Sequence, residues 1–203
     1  MKQDITPRKT GRPLSFQRDA VLERAMRAFW QSGYETTSVS DLTAAMGITA
    51  PSLYAAFGDK KQLFLQAMQL YAGDGQAMRT AFAAAPSARS AVRDMLIETA
   101  RRFTDPATPP GCLLASAAAT GSAHAHDIRA AVAAERQKVR QIIEDRIKVD
   151  IRLGLLPPDT RADVLSNMAV ATVQGLSVMA RDGLDRDAVI AVAEAAINGW
   201  PKT

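Results

Sequence analysis

Only one cysteine, Cys112, occurs in the 203 residues, so no disulfide can close within the chain and a reducing compartment is its natural setting. Histidine is nearly as scarce, at His124 and His126. With so few nucleophiles and bases, most acid–base and covalent catalytic constellations cannot be assembled. Also missing are a Glu-x-x-His pair, a phosphate-cradling P-loop, a dinucleotide glycine pattern and a nucleophile elbow. The chain is expected to be no enzyme and to need no cofactor. No stretch approaches the ~20 uninterrupted apolar residues of a membrane span. The beginning, MKQDITPRKTGRP, lacks the apolar segment of a secretory signal. These absences point to a cytoplasmic protein with no membrane partner. Alternation of apolar and polar residues, the mark of a half-buried strand, is lacking too.

What remains is an ordinary globular balance, 47% hydrophobic and 23% charged, in a length that suits one large domain or two modest ones. The net charge is +4, and its excess is local. The first twelve residues carry Lys2, Arg8, Lys9 and Arg12 against Asp4 alone, which is +3 of that +4. A basic arm ahead of a folded domain suits contact with a polyanion.

Helical periodicity dominates the chain, which reads as all-α with about nine helices. A first helix is expected from about Phe16 to Ser32, capped by Ser15, with Leu22, Ala25, Met26 and Phe29 as its apolar stripe. Ser38 and Asp41 form a capping box for a second, whose inner residues are Val39, Leu42 and Met46 and which stops at Gly47. Thr49 caps a third over Ala50–Phe57, where Pro51 is tolerated in the first turn and Leu53 and Phe57 face inward. Asp59 and Gln62 frame the start of a longer helix, expected to continue to about Ala84. Turn residues then divide the remainder into five helices, near 88–104, 113–120, 127–153, 161–181 and 186–198.

Two short helices about a glycine turn make a helix-turn-helix, whose second helix must fit a major groove ~12 Å wide. Gly47 gives the turn its conformational freedom. Ile48 and Leu53 anchor the unit, leaving Thr49, Ala50, Ser52, Tyr54 and Ala55 to face outward beside Pro51. Small side chains permit close approach of the backbone, alanine methyls can meet thymine methyls, and hydroxyls can reach base edges or phosphates. Tyr54 suits a phosphate. Thr37 and Ser38 at the opening of the preceding helix suit phosphate oxygens as well, and Lys60 brings a positive charge to the same side. Arg12, within Gly11–Arg12–Pro13, reads either as a minor-groove arginine or as a nonspecific phosphate tether.

The stretches GYETTSV at 33–39, DLTAAMGI at 41–48 and SLYAAFGDKKQL at 52–63 resemble the TetR/AcrR family of bacterial transcriptional regulators. With the first helix, the resemblance covers about residues 16 to 66. Thr43 departs from it where many members have alanine, and Ala55–Ala56 departs where relatives often carry larger polar or aromatic residues. The second departure shifts recognition toward van der Waals fit and DNA shape. The resemblance implies a DNA-binding domain over 1–66, a helical effector-binding and dimerisation domain over 67–203, and a palindromic double-stranded operator. It also implies a homodimer and a small-molecule effector that releases the repressor.

Two late helices fit the dimer role by composition, because a helix apolar nearly all round must be buried against several neighbours. Val170, Val173, Gly175 and Leu176 on the first, with Val189, Val192, Ala196 and Ile197 on the second, are the candidate interface; covering the monomer core is the alternative. Candidate pocket lining comprises Met95, Leu96, Phe103, Cys112, Leu113, Leu114, Met168 and Met179, although methionine at helical spacing is as readily core. Cys112 reads as a buried small hydrophobe or as a redox-sensitive thiol at a helix start. Cys112, His124 and His126 lack a fourth metal ligand, and a capping role for the histidines before the long helix is the expectation.

Overall fold

A computed structural model describes residues 16–118 and 126–201, which form ten α-helices and no strand among the described residues. Ser15 and the basic arm, including Arg12, lie outside the described residues, as does His124. Helix α1 (Arg18–Ser32) begins two residues later than expected, with Gln17 at its N-cap and no side-chain cap hydrogen bond there. Helices α2 (Val39–Met46) and α3 (Ala50–Phe57) follow, then α4 (Lys60–Ala72).

The expected long helix from residue 60 to 84 is two. It breaks at Gly73–Asp74–Gly75, and α5 (Gln76–Ala84) begins afresh. Gly73 and Gly75 both take positive φ, 67° and 70°, and Asp74 turns its carboxylate back to accept from the Gln76 N–H at 2.9 Å. Two residues of positive φ within three positions cannot continue a right-handed helix.

Helices α6 (Ala88–Phe103), α7 (Leu113–Ala118), α8 (His126–Arg152), α9 (Ala162–Arg181) and α10 (Arg186–Asn198) complete the chain. Two apolar cores hold them. One joins α1–α4 through Phe29, Leu42, Leu53 and Phe64, and it also takes Leu113 and Ala117 of α7 and Ile128 and Val132 of α8. The other lies among α5, α6, α8, α9 and α10 around Leu96, Phe103, Ile143 and Leu176.

A buried carboxylate ties the far end of the second core. Asp150 is 1% exposed. It accepts from the Ala88 N–H at 2.6 Å and from Arg146 Nε at 2.9 Å, while Arg146 Nη1 donates to the Phe82 carbonyl at 2.8 Å. One ion pair thus joins the end of α5, the start of α6 and the body of α8. Desolvating both charges is tolerable because each finds several hydrogen-bond partners.

Leu176, Val189 and Ile197, anticipated at a dimer surface, are buried inside the protomer at 0%, 0% and 2% exposure. They face α6 and the α8–α9 core, so this chain already covers them. Val192 and Gly175 are exposed, and Val170, Val173 and Ala196 are half-buried. On α9 the outward face instead reads Val164, Met168, Ala171, Gly175 and Val178, all exposed and spaced four and three residues apart. No helix of the described residues is long and apolar enough to cross a membrane.

Candidate nucleic-acid interface

The α2–α3 unit is set by three local devices. Ser38 Oγ accepts from the Asp41 N–H at 3.1 Å, and Asp41 Oδ2 accepts from the Ser38 N–H at 2.8 Å, the reciprocal box the spacing predicts. Hydrogen bonds from the Ser38 hydroxyl and backbone hold the Asp41 carboxyl below its ordinary range. Gly47, at φ 69°, turns the chain, and its N–H donates to Thr43 O at 3.0 Å. Thr49 then caps α3, accepting from the Ser52 N–H at 3.4 Å, and the two hydroxyls share a hydrogen bond at 2.9 Å. Leu42, Met46 and Leu53 are fully buried and Phe57 nearly so, which locks the two helices onto α1 and α4.

That anchoring leaves one outward face on α3. Thr49, Pro51, Tyr54 and Ala55 are exposed, and Ala50 and Ser52 half-exposed. Tyr54 is the long side chain of this face, 51% exposed, and its hydroxyl can reach beyond the helix. The remaining face is low, built of two alanines, a proline and two short hydroxyl residues. A helix with so little side-chain relief can approach base edges with its backbone.

Two anticipated contacts are placed differently. Thr37 is 2% exposed, and its hydroxyl donates to the Gly33 carbonyl at 2.6 Å. Its side chain closes the α1–α2 turn and does not face outward. Lys60 folds back, with Nζ 4.7 Å above the Tyr34 ring and donating to the Glu35 carbonyl at 3.3 Å. Burial lowers its pKa, against which Glu35 and Asp41 act. Its charge remains beside α2, held by an aromatic ring that sequence periodicity did not single out. Tyr34 itself packs edge-on against Phe64 at 5.1 Å and stacks with Phe29 at 6.1 Å. Ser38 is exposed, with its hydroxyl engaged in the cap.

Outside this unit, the eight residues anticipated around a pocket do not gather round one opening. Leu96, Phe103, Cys112 and Leu113 are buried in the cores, Met95, Leu114 and Met179 pack partly buried against them, and Met168 is 45% exposed on the outer face of α9. Cys112 N–H donates to Ser177 Oγ at 2.8 Å, and the thiol is buried. His126 lies at the surface beside Asp127 at 3.5 Å. No group of three metal-ligating side chains occurs among the described residues. An open cleft of about 520 Å³ lies elsewhere, between α1, the end of α4 and the end of α6, and none of the eight lines it.

Sequence and structure comparisons agree with this geometry. Residues 21–67 match the model for bacterial regulatory proteins of the tetR family, and residues 88–197 match a tetracyclin repressor-like C-terminal domain. The HTH-type transcriptional repressor ComR of Escherichia coli K12 is 32% identical over 95% of this chain and 92% of its own length. The repressor BdcR of the same organism is 28% identical over 95% and 91%. A cysteine mutant of the TetR family regulator CifR, solved with 26-bp double-strand operator DNA, superposes with a TM-score of 0.88 at 42% identity, covering 94% of this chain and all of that one. With its helix-turn-helix matched and its second half matched over more than half the chain, this protein belongs to the TetR family of bacterial transcriptional regulators.

Proposed function

We propose that this chain is a cytoplasmic, homodimeric transcriptional repressor that reads a palindromic operator with α3 and is released from it by a small molecule. The observation that carries the reading is the α2–Gly47–α3 unit, anchored by Leu42, Met46, Leu53 and Phe57 and presenting a low, hydroxyl-bearing outer face. In this reading Thr49, Ala50, Pro51, Ser52 and Ala55 meet base edges. Tyr54 and Ser38 meet phosphates, Thr37 positions the α2 start, and Lys60 supplies a fixed positive charge nearby. The arm with Arg12 adds a groove or phosphate contact.

Residues 1–66 serve as the reading domain and 67–203 as the regulatory one, with α4 running through the boundary. One α3 reads few base pairs, and a two-fold dimer places two readers one helical turn of DNA apart, or a multiple of it. The heptad-like face of Val164, Met168, Ala171, Gly175 and Val178 on α9 supports the dimer, since apolar residues at that spacing form a seam for a second helix. Val170, Val173, Val192 and Ala196 flank it. An effector acts by binding one of two dimer shapes more tightly, and that difference in affinity is what shifts the spacing of the readers.

Fluorescence anisotropy with labelled DNA from the region upstream of the protein's own gene tests the reading. A palindrome there should bind at least about a hundredfold more tightly than a scrambled duplex at one salt concentration. Equal affinity for both duplexes would remove sequence-specific reading. Met168→Arg should give a monomer by sedimentation and weaken operator binding together; a dimer that persists would move the interface elsewhere.

A further inference from the structure

The geometry points to the cleft along α1 as a binding site for an organic acid with an apolar body, its carboxylate held by Arg102. The cleft measures about 520 Å³, within the range that takes small ligands. Its floor is hydrocarbon. Met26 and Trp30 come from α1, and Leu70 and Tyr71 from the end of α4. Leu70 is 48% exposed, unusual for so large an apolar side chain. The polar ends of the two aromatics turn away. Trp30 Nε1 donates to the Gly111 carbonyl at 3.0 Å, and the Tyr71 hydroxyl is buried beside Cys112 without a hydrogen-bond partner of good geometry. The two rings meet edge to face at 4.9 Å.

Charge selects the ligand. Arg102 lies with its guanidinium 4.6 Å over the Tyr71 ring, at the cleft wall, and makes no ion pair among the described residues. Its neighbour Arg101 is already within reach of Glu98 at 3.6 Å. The planar guanidinium carries five N–H donors, more than its contact with Tyr71 can use, and its fork matches the two oxygens of a carboxylate. The cleft's acidic residues, Asp19 and Glu23, sit toward the start of α1, and Glu23 is tied to Arg27 at 3.1 Å. Asp19 precedes Trp30 by eleven residues, roughly 16 Å along the helix. A carboxylate on Arg102 therefore meets no uncompensated acid at that end, whereas a cation would have to leave the aromatic floor.

The site also spans the parts that must communicate, and in this respect the inference rests on the repressor reading above. Trp30 belongs to the reading domain. Through the Gly111 carbonyl it joins a loop whose next N–H, on Cys112, donates to Ser177 of α9 at 2.8 Å. Arg181 of α9 returns a hydrogen bond to the Trp30 carbonyl at 2.8 Å. A ligand body pressed on Trp30 and Tyr71 bears on the reader and on the dimer helix at once.

The test uses the full chain with Trp200→Phe, which leaves Trp30 as the sole indole, and titrates phenylbutyrate, phenylbutylamine and phenylbutanol while following tryptophan emission. Calorimetry on the unsubstituted chain provides the same constants without that substitution. The acid should bind saturably and more tightly than the amine or the alcohol. Arg102→Gln, at an exposed position, should weaken the acid about tenfold or more, and Arg102→Lys should lie between. No saturable binding of the acid, equal binding by Arg102→Gln, or an amine as tight as the acid would overturn the site. Operator titrations separate the two readings. Operator release by phenylbutyrate that persists undiminished in Arg102→Gln overturns this site and leaves the repressor reading standing. Acid binding, lost in Arg102→Gln, with operator affinity unchanged keeps the site and removes its part in regulation.

Discussion

Replacing Gly111 with alanine probes the joint between reader and regulatory half. Gly111 holds φ at 74°, a conformation that costs an L-residue about 1–2 kcal/mol. Space is the greater difficulty. A Cβ there would stand 2.7 Å from the Ser177 carbonyl oxygen, 2.8 Å from Ser177 Oγ and 2.9 Å from Arg181 Cγ. Arg181 can swing aside, but the Ser177 carbonyl belongs to the backbone of α9 and cannot. The loop must retreat, and two buried hydrogen bonds go with it: Cys112 N–H to Ser177 Oγ, and Trp30 Nε1 to the Gly111 carbonyl. Each is worth about 1 kcal/mol net, and more where a partner is left dry. Together with the backbone cost, the loss is about 3–5 kcal/mol. At about 2–4 °C per kcal/mol for a chain of this size, the melting temperature should fall by roughly 6–20 °C. Gly154→Ala serves as the control, since Gly154 has φ 71° and nothing within 4 Å of the added carbon. It should lose only that backbone cost of about 1–2 kcal/mol. Urea denaturation at one fixed protein concentration measures both. A Gly111→Ala chain within about 1 kcal/mol of the Gly154→Ala chain would refute the close-approach argument.

Three further outcomes can be measured. Asp150→Ala strands the Arg146 guanidinium and the Ala88 N–H, and should cost about 3–5 kcal/mol in chemical denaturation; a loss below about 1 kcal/mol would mean that the pair is not a structural tie. Tyr54→Phe should weaken operator binding with little change in its salt dependence, whereas Lys60→Gln should lower affinity and reduce the slope against salt by about one ion, both read by anisotropy across a salt series. Identical slopes in the two variants would deny Lys60 an electrostatic role. Deleting residues 1–12 should weaken operator binding and flatten the same slope, and an unchanged slope would take the arm out of the interface.

The reading unit was legible because its signals are local. Ser38 with Asp41, Thr49 with Ser52, and Asp59 with Gln62 lie three residues apart, and each cap forms at the expected place. The inward residues Leu42, Met46, Leu53 and Phe57 also follow from periodicity alone. Failures of expectation came where distant residues decide. Thr37 looks like a surface hydroxyl until the Gly33 carbonyl is found beneath it. Lys60 looks like a free charge until Tyr34 arrives from the α1–α2 turn. Leu176, Val189 and Ile197 belong to helices so apolar that composition cannot say which side faces the protomer and which a second copy. Asp150, four residues after Arg146, carries no local signal of burial, and only α6 meeting α8 reveals it. The cleft needs α1, α4 and α6 together, and no periodicity in any one of them announces it.

The core beneath the reader has a practical corollary for protein engineering. Leu113 and Ala117 of α7, and Ile128 and Val132 of α8, fill the same apolar interior as Phe29 and Phe64. A chimera cut near residue 66, with the head of this protein set on the body of a relative, would inherit mismatched plugs for that interior. Grafts that carry α7 and the opening turns of α8 along with the head should fold, and the natural unit of exchange between such repressors is a discontinuous one.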